Sequence, residues 1–147
     1  MTQSELLLIN DVLERVENNP LRSTRISDIW LFEEKFVYVE CKENVQISIE
    51  DAMEDTHLTK KIVESIPKWG LIVDVRTINS ISKGARNQFA EVYGCNSTCT
   101  SVALIIDSLF SRIISNFYIN FSQSTTPTRA FTSKKDAILW TMKNLKK

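Results

Sequence analysis

Apolar and polar residues follow two different periods along this chain, and together they predict a mixed α/β protein. The apolar residues between positions 4 and 17 recur every three or four positions, which predicts an amphipathic helix that ends at the Asn-Asn-Pro sequence 18–20. Two runs rich in aromatic and β-branched residues, 29–33 and 36–41, then follow close together. Their short separation is typical of an antiparallel hairpin.

Serine residues mark the starts of three further predicted helices. Ser48 and Ser133 each precede an aspartate by three positions, which is the capping-box pattern. Ser82 stands before a third helical stretch, which Gly94 is expected to close in a left-handed conformation. The helix that follows Ser48 ends before Pro67 and carries the apolar residues Ile49, Ala52, Met53, Ile62, Val63 and Ile66.

Short apolar runs between these helices predict buried strands at 71–75 and 101–106 and a short last strand at 129–132. An apolar helix is predicted over 108–122. The predicted order is a hairpin, three repeats of helix and strand, and a last helix. This order predicts one sheet that is parallel after its hairpin. Its crossovers are expected to be right-handed.

A chain of 147 residues predicts one α/β domain with an N-terminal appendage. We place the amphipathic helix at 1–20, a linker at 21–27 and the domain proper at 28–147. The strands at 71–75 and 101–106 are apolar on both faces, and crossover helices of a sequentially wound sheet cover one face. We therefore expect the N-terminal helix to pack against the sheet or a neighbouring subunit.

Composition excludes several classes of partner. Eighteen basic residues balance eighteen acidic ones, so the overall charge favours neither nucleic acid nor an anionic membrane. No apolar run approaches the roughly 20 residues of a membrane span, and the first residues lack the basic start of a secretory signal. An odd number of cysteines, Cys41, Cys95 and Cys99, favours reduced thiols and a cytoplasmic protein.

The usual catalytic and cofactor motifs do not appear. The single histidine, His57, falls in a crossover helix away from the strand ends, so a catalytic triad is not expected. Cys95 and Cys99 have the wrong spacing for a thioredoxin-like site or a zinc site. Three glycines in the whole chain leave no phosphate-binding glycine loop, and we predict no cofactor or metal.

The segment 71–86 reads Leu-Ile-Val-Asp-Val-Arg-Thr-Ile-Asn-Ser-Ile-Ser-Lys-Gly-Ala-Arg, a strand that ends near an acid and leads into a serine-capped helix. With the hairpin-first order of elements, it resembles the STAS domains of sulfate transporters and anti-sigma factor antagonists, over about residues 28–146. Segments 112–117 and 127–131 are similar to small uncharacterised bacterial members. The resemblance implies the STAS fold and a non-enzymatic regulatory role.

Regulated STAS domains are phosphorylated on a serine at the start of this helix. The matching stretch here is Ser82-Lys83-Gly84-Ala85, in which Gly84 occupies the acceptor position and Lys83 replaces the neighbouring hydroxyl. Ser80 and Ser82 lie nearby but out of register. The resemblance therefore implies the fold without the phosphorylation switch.

Polar residues gather where the carboxyl ends of the parallel strands are expected, the edge at which open α/β sheets bind ligands. The first loop contributes Asp74, Arg76, Ser80, Ser82, Lys83 and Arg86, and the next contributes Asp107, Ser108 and Arg112. A phosphate or carboxylate would suit Ser82, Lys83 and Arg86. The competing interpretation is that the serines cap helices and the cations are solvated.

Asp74 lies in a strand that is otherwise apolar, and a buried carboxylate must be paired or protonated. Its expected partner is Arg76, Arg112 or a helix N-terminus. A structural ion pair and a functional acid are both consistent with the sequence.

Three functions remain as hypotheses. The first is a STAS-like regulatory or interaction module that binds a protein partner, a second copy of the chain as a homodimer, or a small anion. The second is a carrier of an apolar, lipid-like ligand between the helix at 108–122 and the sheet. Tyr118 and Ile119 point away from the core face of that helix, so they indicate either an exposed interface patch or a helix that ends early and folds these residues back into the core. The third is a weak hydrolase or isomerase that uses Asp74.

Overall fold

Six strands form the central sheet in the computed structural model, which describes residues 1–16, 18–94, 98–107 and 125–147. The strands are β1 (Arg22–Ser23), β2 (Ser27–Phe32), β3 (Phe36–Cys41), β5 (Trp69–Asp74), β7 (Cys99–Ile105) and β8 (Thr128–Phe131), in the order β1-β2-β3-β5-β7-β8. β1 and β2 pair antiparallel, as do β2 and β3, and the later pairs are parallel. The predicted α/β fold, with a hairpin followed by parallel strands, is confirmed.

Two strands of two residues each form a separate parallel ribbon that the sequence did not predict. β4 (Gln46–Ile47) and β6 (Ser80–Ile81) pair in register, and the Ser82 amide donates to the Ile47 carbonyl at 2.9 Å. β4 immediately precedes helix α2 (Ile49–Ile62), and β6 immediately precedes helix α3 (Lys83–Gly94). The ribbon therefore fixes the starts of these two helices relative to each other.

Helices α2 (Ile49–Ile62) and α3 (Lys83–Gly94) cover one face of the sheet. Alternate residues of the parallel strands, such as Val37, Val39 and Leu71, point to this face. They pack in one cluster with Ala52 from α2 and with the α3 residues Ala85, Phe89 and Tyr93. Burial of these apolar side chains supplies the main stabilisation of this layer.

The face of α2 that contacts the core is partly polar, which differs from the sequence expectation. Ile49 and Met53 were expected among its core residues, but they are 42% and 53% exposed. Asp55, Thr56 and Thr59 are buried in their place. Polar partners hold this face inward: Ser27 donates to Asp55 at 2.6 Å, and Gln88 donates to Thr56 at 3.2 Å.

Helices α1 (Gln3–Arg15) and α4 (Lys134–Leu145) cover the opposite face. Leu8, Ile9 and Val12 of α1 pack in one cluster with strand residues of β2 and β3, including Trp30 and Tyr38. Packing of the N-terminal helix on the second face of the sheet is thus confirmed. Of the segment predicted as a linker, residues 22 and 23 pair with β2.

Gly94 does not adopt the left-handed conformation expected from the sequence. No described glycine has a positive φ, and Gly94 is the last residue of α3. The Thr126 hydroxyl donates to the Tyr93 and Gly94 carbonyls at 3.1 and 2.9 Å, and the Thr125 hydroxyl donates to Gly94 at 3.2 Å. These bonds satisfy the terminal carbonyls, so a left-handed glycine cap is not needed.

The predicted strands at 71–75, 101–106 and 129–132 correspond to β5, β7 and β8. The predicted helix at 108–122 and Cys95 lie outside the described residues. Among the helices that are described, none has the length and apolar character needed to cross a membrane.

Candidate functional site

Asp74 and Arg76 form an ion pair at the end of β5. Arg76 Nε donates to Asp74 Oδ1 at 2.9 Å and Arg76 Nη2 donates to Oδ2 at 2.7 Å, a bidentate geometry. The Arg76 backbone amide also donates to Oδ1, at 3.2 Å. The Asp74 side chain is only 5% exposed, so this pairing gives a buried carboxylate its charge partner. Of the partners considered from the sequence, Arg76 is the one that the structure shows.

The ion pair lies in an acidic cleft of about 310 Å³. Asp28, Glu40 and Asp74 are lateral neighbours on β2, β3 and β5, because the strand registers pair Asp28 with Glu40 and Glu40 with Asp74. Burial raises the pKa of Glu40; nearby Lys134 opposes this shift, and Asp74 adds to it. The remaining residues that line the cleft are Cys41, Lys42, Glu43, Arg76 and Thr77.

A second depression, of about 370 Å³, lies over the ribbon. The lining residues are Gln46, Ile47 and Ser48 from one side and Ser80, Ile81 and Ser82 from the other. Ser48 Oγ accepts from the Asp51 amide at 3.2 Å, and Ser82 Oγ accepts from the Ala85 amide at 3.1 Å. Both serines therefore cap helices, and the two capped helix starts converge on one surface.

The two helix starts differ in charge. At α2, the Asp51 carboxylate accepts from the Ser48 amide and hydroxyl, both at 3.0 Å, which completes the predicted capping box. Arg25 pairs with the same carboxylate, and its hydrogen bond, together with those from Ser48, lowers the pKa of Asp51 to about 2. The first turn of α3 contains no acid, and its first residue, Lys83, is exposed. The start of α3 is thus the more electropositive of the two.

Gly84 lies beneath Ile49. A Cβ atom added at Gly84 would stand 3.2 Å from Ile49 Cδ1 and 3.3 Å from Ile49 Cβ. A serine at this position would force Ile49 to move. The position that matches the phosphorylated serine of regulated STAS domains in the sequence comparison is therefore occupied here by a close contact between α2 and α3.

Arg86 is half-buried and makes a hydrogen bond to the ribbon. Its Nη1 donates to the Ile81 carbonyl at 3.0 Å. Its Nε is buried, and no described group lies in hydrogen-bonding position to it. Of the predicted anion-binding group, Ser82 caps α3, Lys83 is exposed, and Arg86 makes one hydrogen bond to the ribbon.

The structure divides the predicted site residues between two places. Asp74 and Arg76 line the acidic cleft, whereas Ser80 and Ser82 line the ribbon depression, and the two linings share no residue. Asp107 is exposed and lies near enough to Arg76 to raise the pKa of its guanidinium, although Asp74 is the larger cause. Ser108 and Arg112 lie outside the described residues. The sequence predicts Ser48 only as a helix cap. Its capping motif does not indicate that Ser48 lines the same depression as Ser82.

Other reactive side chains do not extend the site. Burial raises the pKa of the Cys41 and Cys99 thiols, the latter to about 12. His57 is exposed on α2. Within the described ranges, no three His, Cys, Asp or Glu side chains are grouped so that they could hold a metal ion.

Comparisons with known proteins support the fold and leave the chemistry open. A family model with the description "Domain of unknown function (DUF7793)" matches residues 29–145. The chain is similar in structure to an uncharacterized protein of the DUF3478 family with a SpoIIAA-like fold from Shewanella loihica PV-4, with a TM-score of 0.57 and 16% sequence identity. The match covers 81% of this chain and 98% of the other. No curated protein matches the sequence.

Proposed function

The chain belongs to the DUF7793 family, a domain of unknown function, and we propose that it works as a non-enzymatic interaction module in cytoplasmic signalling. The proposed contact surface is the ribbon depression together with the exposed residues beside it on α2 and α3. We name this surface the ribbon edge and define it by Ser48, Ser80, Ser82, Ile49, Met53 and Lys83. The observation that carries the proposal is the convergence of two capped helix starts beside exposed apolar side chains.

The composition of the ribbon edge suits a protein partner. Ile49 and Met53 are exposed one turn apart on α2, next to the close approach of Ile49 to Gly84. Exposed apolar side chains at the centre of a polar rim are the usual anatomy of a protein interface. Methionine in particular adapts to different partner surfaces. A single cation, Lys83, adds electrostatic selection for an acidic partner.

Catalysis by Asp74, the third hypothesis from the sequence, gains no support from the geometry. Both carboxylate oxygens accept from Arg76, and a general base needs an oxygen available to the proton that it removes. The carrier hypothesis depends on residues 108–122, which lie outside the described residues.

The proposal is tested by quantitative partner enrichment from extracts of the organism that makes the protein. Wild type is compared with Met53→Ser and Lys83→Glu at the ribbon edge and with Leu7→Ser as a matched control, because Leu7 is 62% exposed on α1, which packs on the opposite face of the sheet. We expect one protein to be enriched by wild type and by the control, and its yield to fall at least tenfold with each edge variant. Equal enrichment by all four proteins, or no enrichment by wild type, would contradict the proposal. Native mass spectrometry of the same samples shows whether the partner is a second copy.

Binding of a small anion at the start of α3 is a second candidate function, supported by the absence of an acid there and by the exposed Lys83. Titration with inorganic phosphate, followed by amide NMR shifts, should move the signals of residues 82–86. The shifts should weaken with added salt and in Lys83→Ala. Shifts that are absent, or unchanged in the variant, would exclude an anion site.

We further propose that the ribbon edge is not a phosphorylation switch. Gly84 has no hydroxyl, and Ser82 Oγ already accepts from the Ala85 amide. Modification of Ser82 would remove that bond, although a phosphate could bond again to the free amides of α3. Mass spectrometry of the protein isolated from growing and starved cells should find Ser80 and Ser82 unmodified. Substantial phosphate on either serine would restore the antagonist mechanism of the regulated relatives.

A further inference from the structure

A basic depression lies at the end of the sheet where the parallel strands begin. Its volume is about 290 Å³. Of its three lysines, Lys35 comes directly before β3 and Lys68 directly before β5. The Gly70 amide donates to the Lys35 carbonyl at 3.0 Å, which holds these two strand starts together. Lys146, the third lysine, follows the last residue of α4.

Helix capping does not account for this group of cations. Lys146 suits the negative end of the α4 dipole, but Lys35 and Lys68 belong to turns that precede strands. All three lysines are exposed, and within the described residues no acid forms a salt bridge with Lys68 or Lys146. The floor between them is apolar, with Met142 buried and Leu145 half-buried. Cations around an apolar floor suit an acidic group that is carried on a protein surface.

An acidic turn stands directly beside the depression. Glu33 and Glu34 form the tip of the β2–β3 hairpin, which the Lys35 amide closes by donating to the Phe32 carbonyl at 2.9 Å. Both glutamates are exposed, with φ angles of 51° and 53°. Glu33 lies 3.5 Å from Lys35 in an ion pair whose side chains are 52% and 49% exposed, and pairs of this kind are weak. Glu34 forms no ion pair within the described residues, so the tip can offer its charge to an external partner.

We propose that this surface is the contact of a symmetric homodimer, in which the glutamate tip of each copy packs against the basic depression of the other. We name it the amino edge and define it by Glu33, Glu34, Lys35, Lys68, Met142, Leu145 and Lys146. A two-fold interface uses the same patch on both copies, so the patch must be complementary to itself. The amino edge meets this condition because its acidic turn and its basic depression adjoin: Lys35 ends the turn and also lines the depression. The apolar floor forms the centre of the contact, and the charges form its rim.

The mixture of charges favours a second copy over an unrelated acidic protein. An unrelated acidic surface would attract the lysines but would repel the adjacent glutamates, whereas a second copy related by a two-fold axis presents the opposite charge to each. The ribbon lies in the loops that follow the carboxyl ends of β3 and β5, at the opposite end of these strands. The dimer contact is therefore separate from the ribbon edge and does not depend on the proposed function.

Sedimentation velocity over about 10 μM to 1 mM protein tests the proposal by charge reversal. Wild type is compared with Glu34→Lys, with Lys68→Glu and with the variant that carries both. The controls Glu54→Lys on α2 and Lys135→Glu at the start of α4 make the same reversals at exposed positions outside the amino edge. Each single reversal occurs in both copies and so places like charges opposite each other twice. We expect wild type and the controls to dimerise, and the association constant to fall at least about tenfold in each single variant.

Recovery of the dimer identifies the contact and shows that the single variants are folded. The variant with both reversals exchanges the two charges, so it should dimerise like wild type. An equimolar mixture of the two single variants should form a mixed dimer, which isotope labelling of one variant reveals in native mass spectrometry. A wild type that stays monomeric, single variants that dimerise as well as wild type, or controls that lose the dimer would overturn the proposal. Failure of either the mixture or the doubly reversed variant to recover the dimer would overturn it as well.

Discussion

A substitution at Gly70 should destabilise the protein through one identifiable contact. Gly70 lies in β5, where α4 crosses the sheet, and a Cβ atom at this position would stand 2.4 Å from Thr141 Cγ2. Ordinary carbon–carbon contacts are about 3.5–4.0 Å, so Gly70→Ala requires a displacement of more than about 1 Å. Thr141 cannot easily yield, because it is fully buried and its hydroxyl donates to the Ala137 carbonyl at 2.8 Å.

The magnitude follows from two opposing effects. Overpacking of a core contact costs about 1–3 kcal/mol. Replacement of glycine by alanine restricts the unfolded chain and returns about 0.4–1 kcal/mol where the backbone conformation is compatible, and Gly70 has no positive φ. We therefore expect Gly70→Ala to lower the free energy of unfolding by about 1–2 kcal/mol. For a chain of this length that corresponds to a fall in Tm of roughly 2–8 °C.

A double-mutant cycle isolates the contact. Thr141→Ser removes the γ-methyl group and keeps the hydroxyl that donates to Ala137, so the double variant Gly70→Ala with Thr141→Ser should regain most of the lost stability. Urea unfolding followed by circular dichroism would give a coupling free energy of about 1 kcal/mol or more. If Gly70→Ala proves as stable as wild type, or if the two substitutions are simply additive, the clash does not govern this position.

Three further predictions concern other parts of the fold. Val12→Ala should lower the free energy of unfolding by roughly 1–3 kcal/mol in urea titrations, whereas Leu7→Ala on the exposed side of α1 should change it by less than about 0.5 kcal/mol; equal effects would mean that α1 is not docked on the sheet. The hydrogen bond from Arg25 lowers the pKa of Asp51, so the stability that this carboxylate contributes is present above its unfolded pKa near 4 and is lost as the pH falls towards 2. Asp51→Asn should therefore flatten the plot of the free energy of unfolding against pH between about pH 4 and 2 and at no other pH. The Cys99 thiol should resist iodoacetamide in the native protein and react in urea, as read by mass spectrometry, because burial raises its pKa; rapid native labelling would contradict its placement in the core.

Local signals explain the elements that the sequence predicted correctly. Ser48 with Asp51, and Ser133 with Asp136, place a side-chain acceptor three positions before a helical amide, and the structure shows both hydrogen bonds. The hairpin was readable because Phe32 and Phe36 bracket a short turn between two β-prone runs. Each of these features depends only on residues a few positions apart.

The face of α2 shows what periodicity does not determine. The buried positions 52, 55, 56, 59 and 63 follow helical spacing as regularly as the apolar positions do. Helix α2 has an apolar stripe and a partly polar stripe that overlap. The stripe that faces the core is determined by partners elsewhere in the chain, here Ser27 and Gln88. The sequence of α2 alone does not predict those partners.

The same distinction separates the residues of the candidate site that are free to bind from those that are not. The sequence predicts Asp74 and Arg86 at the loop edge; in the structure Asp74 is paired with Arg76, and Arg86 donates one hydrogen bond to the Ile81 carbonyl. A charge that already has a buried partner gains little from an external ligand, since binding must first break the existing contact. The exposed groups beside the ribbon include Ser82, Lys83 and the apolar side chains of α2. One cation beside apolar surface is a poor trap for a small anion and a suitable contact for a folded partner, and for this reason we rank protein binding above anion binding at the ribbon edge.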